Sequence, residues 1–276
     1  MVTSIVFNGG LGNQMFQYAF YLRLKSMHPF EMFLFDIGCA QMHHNGYELD
    51  RIFQIRDRRQ SRNYRWIRKH CPKLLKAFHA VKQKDSLEYD PRIFETRGLF
   101  MRYEGFWQSE KYFLDIEERI RLSFQFNERL LNVPTKALCA SLANGEYVSV
   151  HVRRGDYVAQ KENFGLCDEE YYQRAIGFIE RKVVRPIYVF FSDEIGWAKE
   201  RFHNENVIFV DWNHADESWQ DMFLMTRCKH NIIANSSFSW WGAWLNPNKE
   251  KIVVAPKRWF EFIPNYDILP EGWVAV

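Results

Sequence analysis

Residues Tyr147 to Tyr157 read YVSVHVRRGDY. The run alternates as a buried strand does, carries His151 near its end, and sets Arg153, Arg154 and Asp156 where the strand should stop. Paired guanidinium groups are costly to desolvate without an anion, so packing alone is a poor reason to place them at a sheet edge. The planar fork of arginine matches phosphate oxygens two at a time. The competing reading is an internal ion pair between Arg153 or Arg154 and Asp156.

Downstream of this stretch, strand and helix patterns alternate: a helix around Glu169 to Lys182, PIYVFF, a helix beginning near Asp193, NVIFVD, a helix through Met222 and Met225, and NIIAN. Strands joined by helical crossovers predict a doubly wound α/β domain. Upstream, TSIVF, the loop NGGLGN, a helix from about Asn13 to Met27 and EMFLFD open a second βαβ unit. The chain turns polar near Leu122 to Gly145, with Pro134 and Asn144-Gly145 as breakers. This predicts two Rossmann-like domains, 1–135 and 136–276, facing a cleft, with ligands at the carboxyl ends of the strands.

Three further strand ends carry candidate residues. In GGLGNQ (Gly9 to Gln14) the glycines permit close backbone approach, and the following helix start offers amides to an anionic or hydroxyl-rich ligand. The match to a dinucleotide fingerprint is incomplete, because Met15 stands where a third small residue belongs, although Asp36 lies at a suitable distance. A tight structural turn is the alternative. In FFSDE, Ser192 and Asp193 can cap a helix or hold a ribose hydroxyl. In NIIANSSFSWWGAW, an apolar strand gives way to Asn235, Ser236 and Ser237, the form of a phosphate site at a helix start. Trp240, Trp241 and Trp244 fill the core behind it, or one of them stacks on a base or sugar.

Composition narrows the partners. With 276 residues and a net charge of +3, there is no case for wholesale nucleic-acid binding. No apolar run approaches the roughly 18 residues of a membrane-spanning helix. The sequence opens directly on a strand pattern, which predicts a cytoplasmic protein. The five cysteines are scattered and never spaced as CxxC, so reduced core residues are expected rather than disulfides or zinc. The segment from Ile55 to Lys84 carries eleven Lys/Arg against one Asp. It reads as a basic amphipathic stretch lying on an anionic membrane surface or as a solvated helical hairpin packed on the domain. No DxD pair and no cluster with metal-ligand spacing occurs. A leaving diphosphate would then be neutralised by arginines and a helix N-terminus.

Taken in order, GGLGNQMFQYA, HVRRGDYV, VFFSDE and DMFLMTRCKHNIIANSSFSWWGAWLN resemble the motifs of the α-1,2-fucosyltransferases. HNGYELDRIF (His44 to Phe53) and GFWQSEKYF (Gly105 to Phe113) resemble the acceptor-side segments of the same family. The resemblance implies a GT-B fold, GDP-β-L-fucose as donor, and metal-independent inverting transfer to the 2-hydroxyl of a galactose-terminated glycan, with no cofactor. It implies donor roles for His151, Arg153, Arg154, Ser192, Asp193 and Asn235 to Phe238, with Gly10, Gly12, Asn13 and Gln14 opposite them across the cleft. His44, Asn45, Trp107 and Gln108 become acceptor-side candidates. Asp156, His151 and Glu162 are the candidates for general base, with Asp156 preferred. An NAD(P)-dependent oxidoreductase using GGLG and Asp36, and a sugar-binding module using the ten tryptophans, are the competing functions.

Overall fold

The computed structural model describes residues 1–42, 44–53, 55, 57–84, 86–155, 165–203, 205–261 and 267–276. The chain divides into two compact units, Met1–Asn127 and Glu128–Val276. The 135/136 division expected from sequence falls inside a helix, Val133–Leu142. Pro134 is not a breaker there. It occupies the first turn, where no intrahelical N–H is lost, and the Asn132 side chain caps the helix by accepting from the Thr135 amide at 3.0 Å.

The first unit is a parallel sheet of β1 (Val2–Val6), β2 (Met32–Asp36), β3 (His79–Lys82) and β4 (Phe100–Glu104), in the order β2-β1-β4-β3. Val6 pairs with Asp36, and Ile5 with Tyr103, so the loops after β1, β2 and β4 leave from one edge. The helix Leu11–Met27 follows β1 and is buried on nearly every side. Its Phe20 meets Trp107, Tyr103 and Tyr112, and its Tyr21 meets Phe33 and Phe35, so aromatic contacts hold it from two sides. The expected helical hairpin after Ile55 is instead one helix, Arg58–His70, a single turn Pro72–Leu75, and the edge strand β3.

The second unit is a parallel sheet of β5 (Tyr147–Val152), β6 (Ile187–Ser192), β7 (Val207–Val210), β8 (His230–Ile232), β9 (Val253–Ala255) and β10 (Val274–Ala275). The order is β10-β9-β8-β5-β6-β7. Helices Glu169–Glu180, Ile195–Arg201 and Trp219–Arg227 precede β6, β7 and β8 in turn, and Ser237–Leu245 follows β8. The chain steps one way from β5 through β7, then the other way from β8 through β10. The reversal therefore lies between β5 and β8, the place where a doubly wound sheet opens a crevice at its carboxyl edge. Val148, Val150 and Val152 point into the core with Tyr172, Ala175 and Ile179, whereas Ser149 and His151 take the opposite face. Among the described residues, no helix is long and apolar enough to cross a membrane. The cysteines are free, but Cys71 is exposed rather than in the core.

Candidate functional site

In the second unit, the carboxyl ends of β5, β6 and β8 converge. Val152 pairs with Ser192 and Val150 with Ile232, so Arg153, Asp193 and Asn235 all follow the strand ends closely. Asp193 is the hub. Its Oδ2 lies 2.9 Å from Arg153 Nη1, and its Oδ1 accepts from the Arg154 amide at 3.0 Å. Gly155 packs closely beside it: a Cβ at that position would come within 2.6 Å of Asp193 Oδ2 and displace the carboxylate. Ser192 closes a local turn before the helix rather than capping it, its Oγ accepting from the Glu194 amide at 2.9 Å. Among the described residues, Arg153 pairs with Asp193 and Arg154 with Glu194. Asp156 and Glu162 lie outside the described residues.

The two arginines are held by different acids. Arg154 donates from Nε to Glu194 Oε2 at 3.1 Å and lies 4.6 Å over the Trp197 ring, which also carries Arg201 at 4.7 Å. That guanidinium is braced on both its edge and its face. Arg153 is partly exposed and pairs with Asp193 at the strand end. Sequence reading missed Glu194 and Trp197 as supports, although Glu194 closes FFSDE and Trp197 lies three residues beyond it.

His151 is only 6% exposed, its ring 5.7 Å from that of Phe238, which joins the β5 motif to the helix Ser237–Leu245. Its Nδ1 has no hydrogen-bond partner among the described residues. Burial, and then the Arg153 charge, push its pKa down to about 3, so the imidazole is neutral at physiological pH and too weak a base to collect a proton. This corrects its candidacy as general base. The unfolded chain takes up a proton near pH 6.5 that native His151 refuses until about pH 3. Stability contributed by the neutral ring is complete above pH 6.5 and is lost as pH falls through that window. The stability of His151→Gln should therefore decline less steeply from pH 6.5 to 4 than wild type, by up to about 1.4 kcal/mol per pH unit. Equal slopes in urea titrations across that range would reject it.

At the end of β8, Ser236 caps the helix Ser237–Leu245, its Oγ accepting from the Phe238 amide at 3.3 Å. The helix start, with its partial positive charge, thus follows the strand next to the one that ends in Arg153. Asn235 is tied into the scaffold. It is buried, donating to the Trp259 carbonyl at 3.1 Å and the Gly165 carbonyl at 3.3 Å. Trp240, Trp241 and Trp244 pack on one another as core. Ser237 and Phe238 are half-buried at the helix start.

In the first unit, the expected residues separate into two kinds. Gly9 adopts φ +77°, and a Cβ there would strike Asn13 Nδ2 at 2.5 Å. Gly10 caps the helix with no side chain and stands against the His44 ring, and Gly12 is buried in the first turn. Gln14 is wholly buried: it donates to the Gly9 and Gly46 carbonyls at 2.9 and 2.8 Å and accepts from the Glu48 amide at 3.0 Å. It staples two loops together and is corrected from binding residue to scaffold. Trp107 is likewise core, 0% exposed, its ring stacked on Phe20 at 4.2 Å and 8°. Asn13 remains at the surface edge, where its Oδ1 accepts from Gln108 Nε2 at 2.7 Å. His44 and Asn45 are exposed on the loop after β2. Gln17 and Gln83 were missed: Gln17 links Asn8 to the Gly105 carbonyl, and Gln83 accepts from the amides of Phe106 and Trp107.

Asp36 does not await a ribose. Its Oδ2 accepts from the Tyr64 hydroxyl at 2.7 Å and from Arg102 Nη1 at 2.9 Å. That removes the carboxylate on which the oxidoreductase reading depended. Among the described residues, no group of three His, Cys, Asp or Glu is gathered so as to hold a metal ion.

Comparison with known proteins gives the family and the fold. The model of glycosyl transferase family 11 matches residues 1–276. An α-1,2-colitosyltransferase of Escherichia coli is 34% identical, the match covering 97% of this chain and 96% of that protein. The O-antigen biosynthesis glycosyltransferase WbnK of Escherichia coli is 30% identical over 97% and 98%. The galactoside 2-α-L-fucosyltransferase SEC1 of Bos taurus is 26% identical over 100% and 74%. Among solved structures, NodZ α-1,6-fucosyltransferase soaked with GDP-fucose matches with a TM-score of 0.53 at 15% identity, over 89% of this chain and 92% of that one. This likeness is one of fold, which is GT-B.

Proposed function

This chain belongs to glycosyl transferase family 11, and from that premise we propose that it transfers L-fucose from GDP-β-L-fucose to the 2-hydroxyl of a terminal galactoside, with inversion and without a metal. The observation that carries the reading is the strand-end arrangement at the reversal point of the second unit. There Arg153, braced by Asp193, and the start of the helix Ser237–Leu245 follow adjacent parallel strands. Fixed cationic and amide groups of this kind suit a nucleoside diphosphate whose charge grows as it departs.

In the proposed step the acceptor oxygen attacks the anomeric carbon from the face opposite GDP. A carbon–oxygen bond forms, the bond from the anomeric carbon to the phosphate oxygen breaks, and its electron pair leaves with GDP. The hydroxyl proton passes to a carboxylate, which we assign to Asp156. Arg153 and the helix start take up the charge on the leaving diphosphate, and neutral His151 supplies hydrogen bonding without adding charge. Gln108 and Asn13, joined at 2.7 Å, and the exposed His44 and Asn45 are proposed to contact the acceptor.

The α-1,2-colitosyltransferase relative supports a second donor reading, GDP-L-colitose, which differs from GDP-fucose in lacking the sugar 3-hydroxyl. Direct competition of the two donors for one galactoside, with chelator present throughout, is the test. Turnover of GDP-fucose and tight GDP binding in EDTA are expected. Loss of both on metal removal rejects the metal-free mechanism, and exclusive use of GDP-colitose replaces the donor. In the same assay an Asp156→Asn enzyme that keeps full activity and an unchanged acid limb in its pH–rate profile removes Asp156 as base.

A further inference from the structure

The transfer chemistry makes no use of the helix Arg58–His70. It is attached to the first unit through one face, where Ser61 and Tyr64 are its buried residues and the Tyr64 hydroxyl donates to Asp36 Oδ2 at 2.7 Å. A neighbouring face of the same helix carries Arg58, Arg62, Arg65 and Lys69, four exposed cations at i, i+4, i+7 and i+11, which fall on one stripe. Trp66 stands beside this stripe, 59% exposed, its ring 5.1 Å from that of His70. The adjoining turn adds exposed Lys73 and Lys76 and the exposed apolar Leu74.

Residues 58–84 hold ten Lys/Arg and no Asp or Glu, in a chain whose net charge is +3, so the rest of the chain is net negative. Arg58 reaches Asp50 at 3.4 Å. Among the described residues, no carboxylate is within ion-pair distance of Arg62, Arg65, Lys69, Lys73 or Lys76. A solvated helical face normally alternates its charges or pairs them with acids at i+4, whereas here one sign is concentrated and left for something else to neutralise.

We propose that this surface, Arg58 to Lys76, docks the protein on an anionic lipid bilayer. The stripe of cations lies against the headgroups, and Trp66 and Leu74 enter the boundary between headgroup and acyl chain. Clustered Lys and Arg are drawn to acidic lipid within a Debye length of the surface, and an indole prefers that interface because its ring is apolar and its N–H polar. The two apolar side chains among the cations choose the bilayer over a polyanion in solution, which would leave them in water.

Cosedimentation of the whole protein with vesicles tests this. In low salt, vesicles of phosphatidylcholine with about a third phosphatidylglycerol should bind at least tenfold more protein than phosphatidylcholine alone. The excess should vanish near ~0.5 M salt. Arg62→Glu/Arg65→Glu/Lys69→Glu should abolish it, and Trp66→Ala should lower it severalfold with the charge intact. Each variant must melt as wild type does and turn over a soluble acceptor at the wild-type rate, which separates docking from the transfer reaction. No binding to the anionic vesicles, retention by the charge-reversed variant, or equal affinity for duplex DNA insensitive to Trp66→Ala overturns the proposal.

Discussion

Arg153→Ala is expected to lower kcat by about 10²–10³, the loss typical of removing one fixed donor from a developing negative charge, or roughly 3–4 kcal/mol of barrier. The structure sharpens this expectation, because the same substitution leaves the Asp193 carboxylate, formerly 2.9 Å from the guanidinium, without that counter-charge beside the proposed diphosphate. The fold should survive. The ion pair is partly exposed at both ends, and such pairs contribute about 1 kcal/mol or less. Asp193→Ala should cost less than Arg153→Ala, since it keeps the cation and loses only its brace. The double variant should then recover part of the loss, because no unpaired carboxylate is left. A melting temperature near wild type together with near-normal turnover in Arg153→Ala removes Arg153 from the leaving-group role.

The largest effect on stability is expected at Trp107. Truncation to alanine empties a site packed by Phe20 at 4.2 Å, Tyr112 at 5.6 Å and Tyr103 at 6.5 Å, and replacements of this size cost about 3–5 kcal/mol. Against a total stability of roughly 5–15 kcal/mol, that is enough to deplete the folded protein at growth temperature. Trp107→Phe keeps much of the stack and should retain activity with a smaller loss. Denaturant unfolding of the three proteins measures the difference. An alanine variant as stable as wild type, altered only in KM for the acceptor, would return Trp107 to the binding surface and contradict its placement in the core.

Much of the second unit was legible because its strands are short apolar runs separated by amphipathic helices, and period and length suffice to separate the two. β9 and β10 escaped notice because three-residue and two-residue strands carry no period. β3 was hidden for a different reason: HAVK is a mostly exposed edge strand in a basic stretch, and only pairing with β4 defines it. β4 itself, FMRYE, alternates plainly but lies between segments read for their function.

Site residues divide in the same way. A sequence states which groups are available, so Arg153, Arg154 and the serines after β8 could be named from chemistry alone. It does not state how each polar group is spent. Gln14 and Asn235 look like ligands in a linear motif, yet hydrogen bonds to Gly46 and Trp259, 32 and 24 residues away, consume them. The Asp193 carboxylate looked like a cap or a ribose ligand, and a contact 40 residues away makes it the brace of Arg153.

By itself, then, the sequence determined the alternating architecture, the family and the concentration of positive charge at one strand end, because these depend on residue type and local period. The tertiary structure decided which acid braces each of two adjacent arginines, which tryptophan is core, and that His151 is neutral. Those properties depend on burial and on partners brought together from distant parts of the chain, and neither has a local signature.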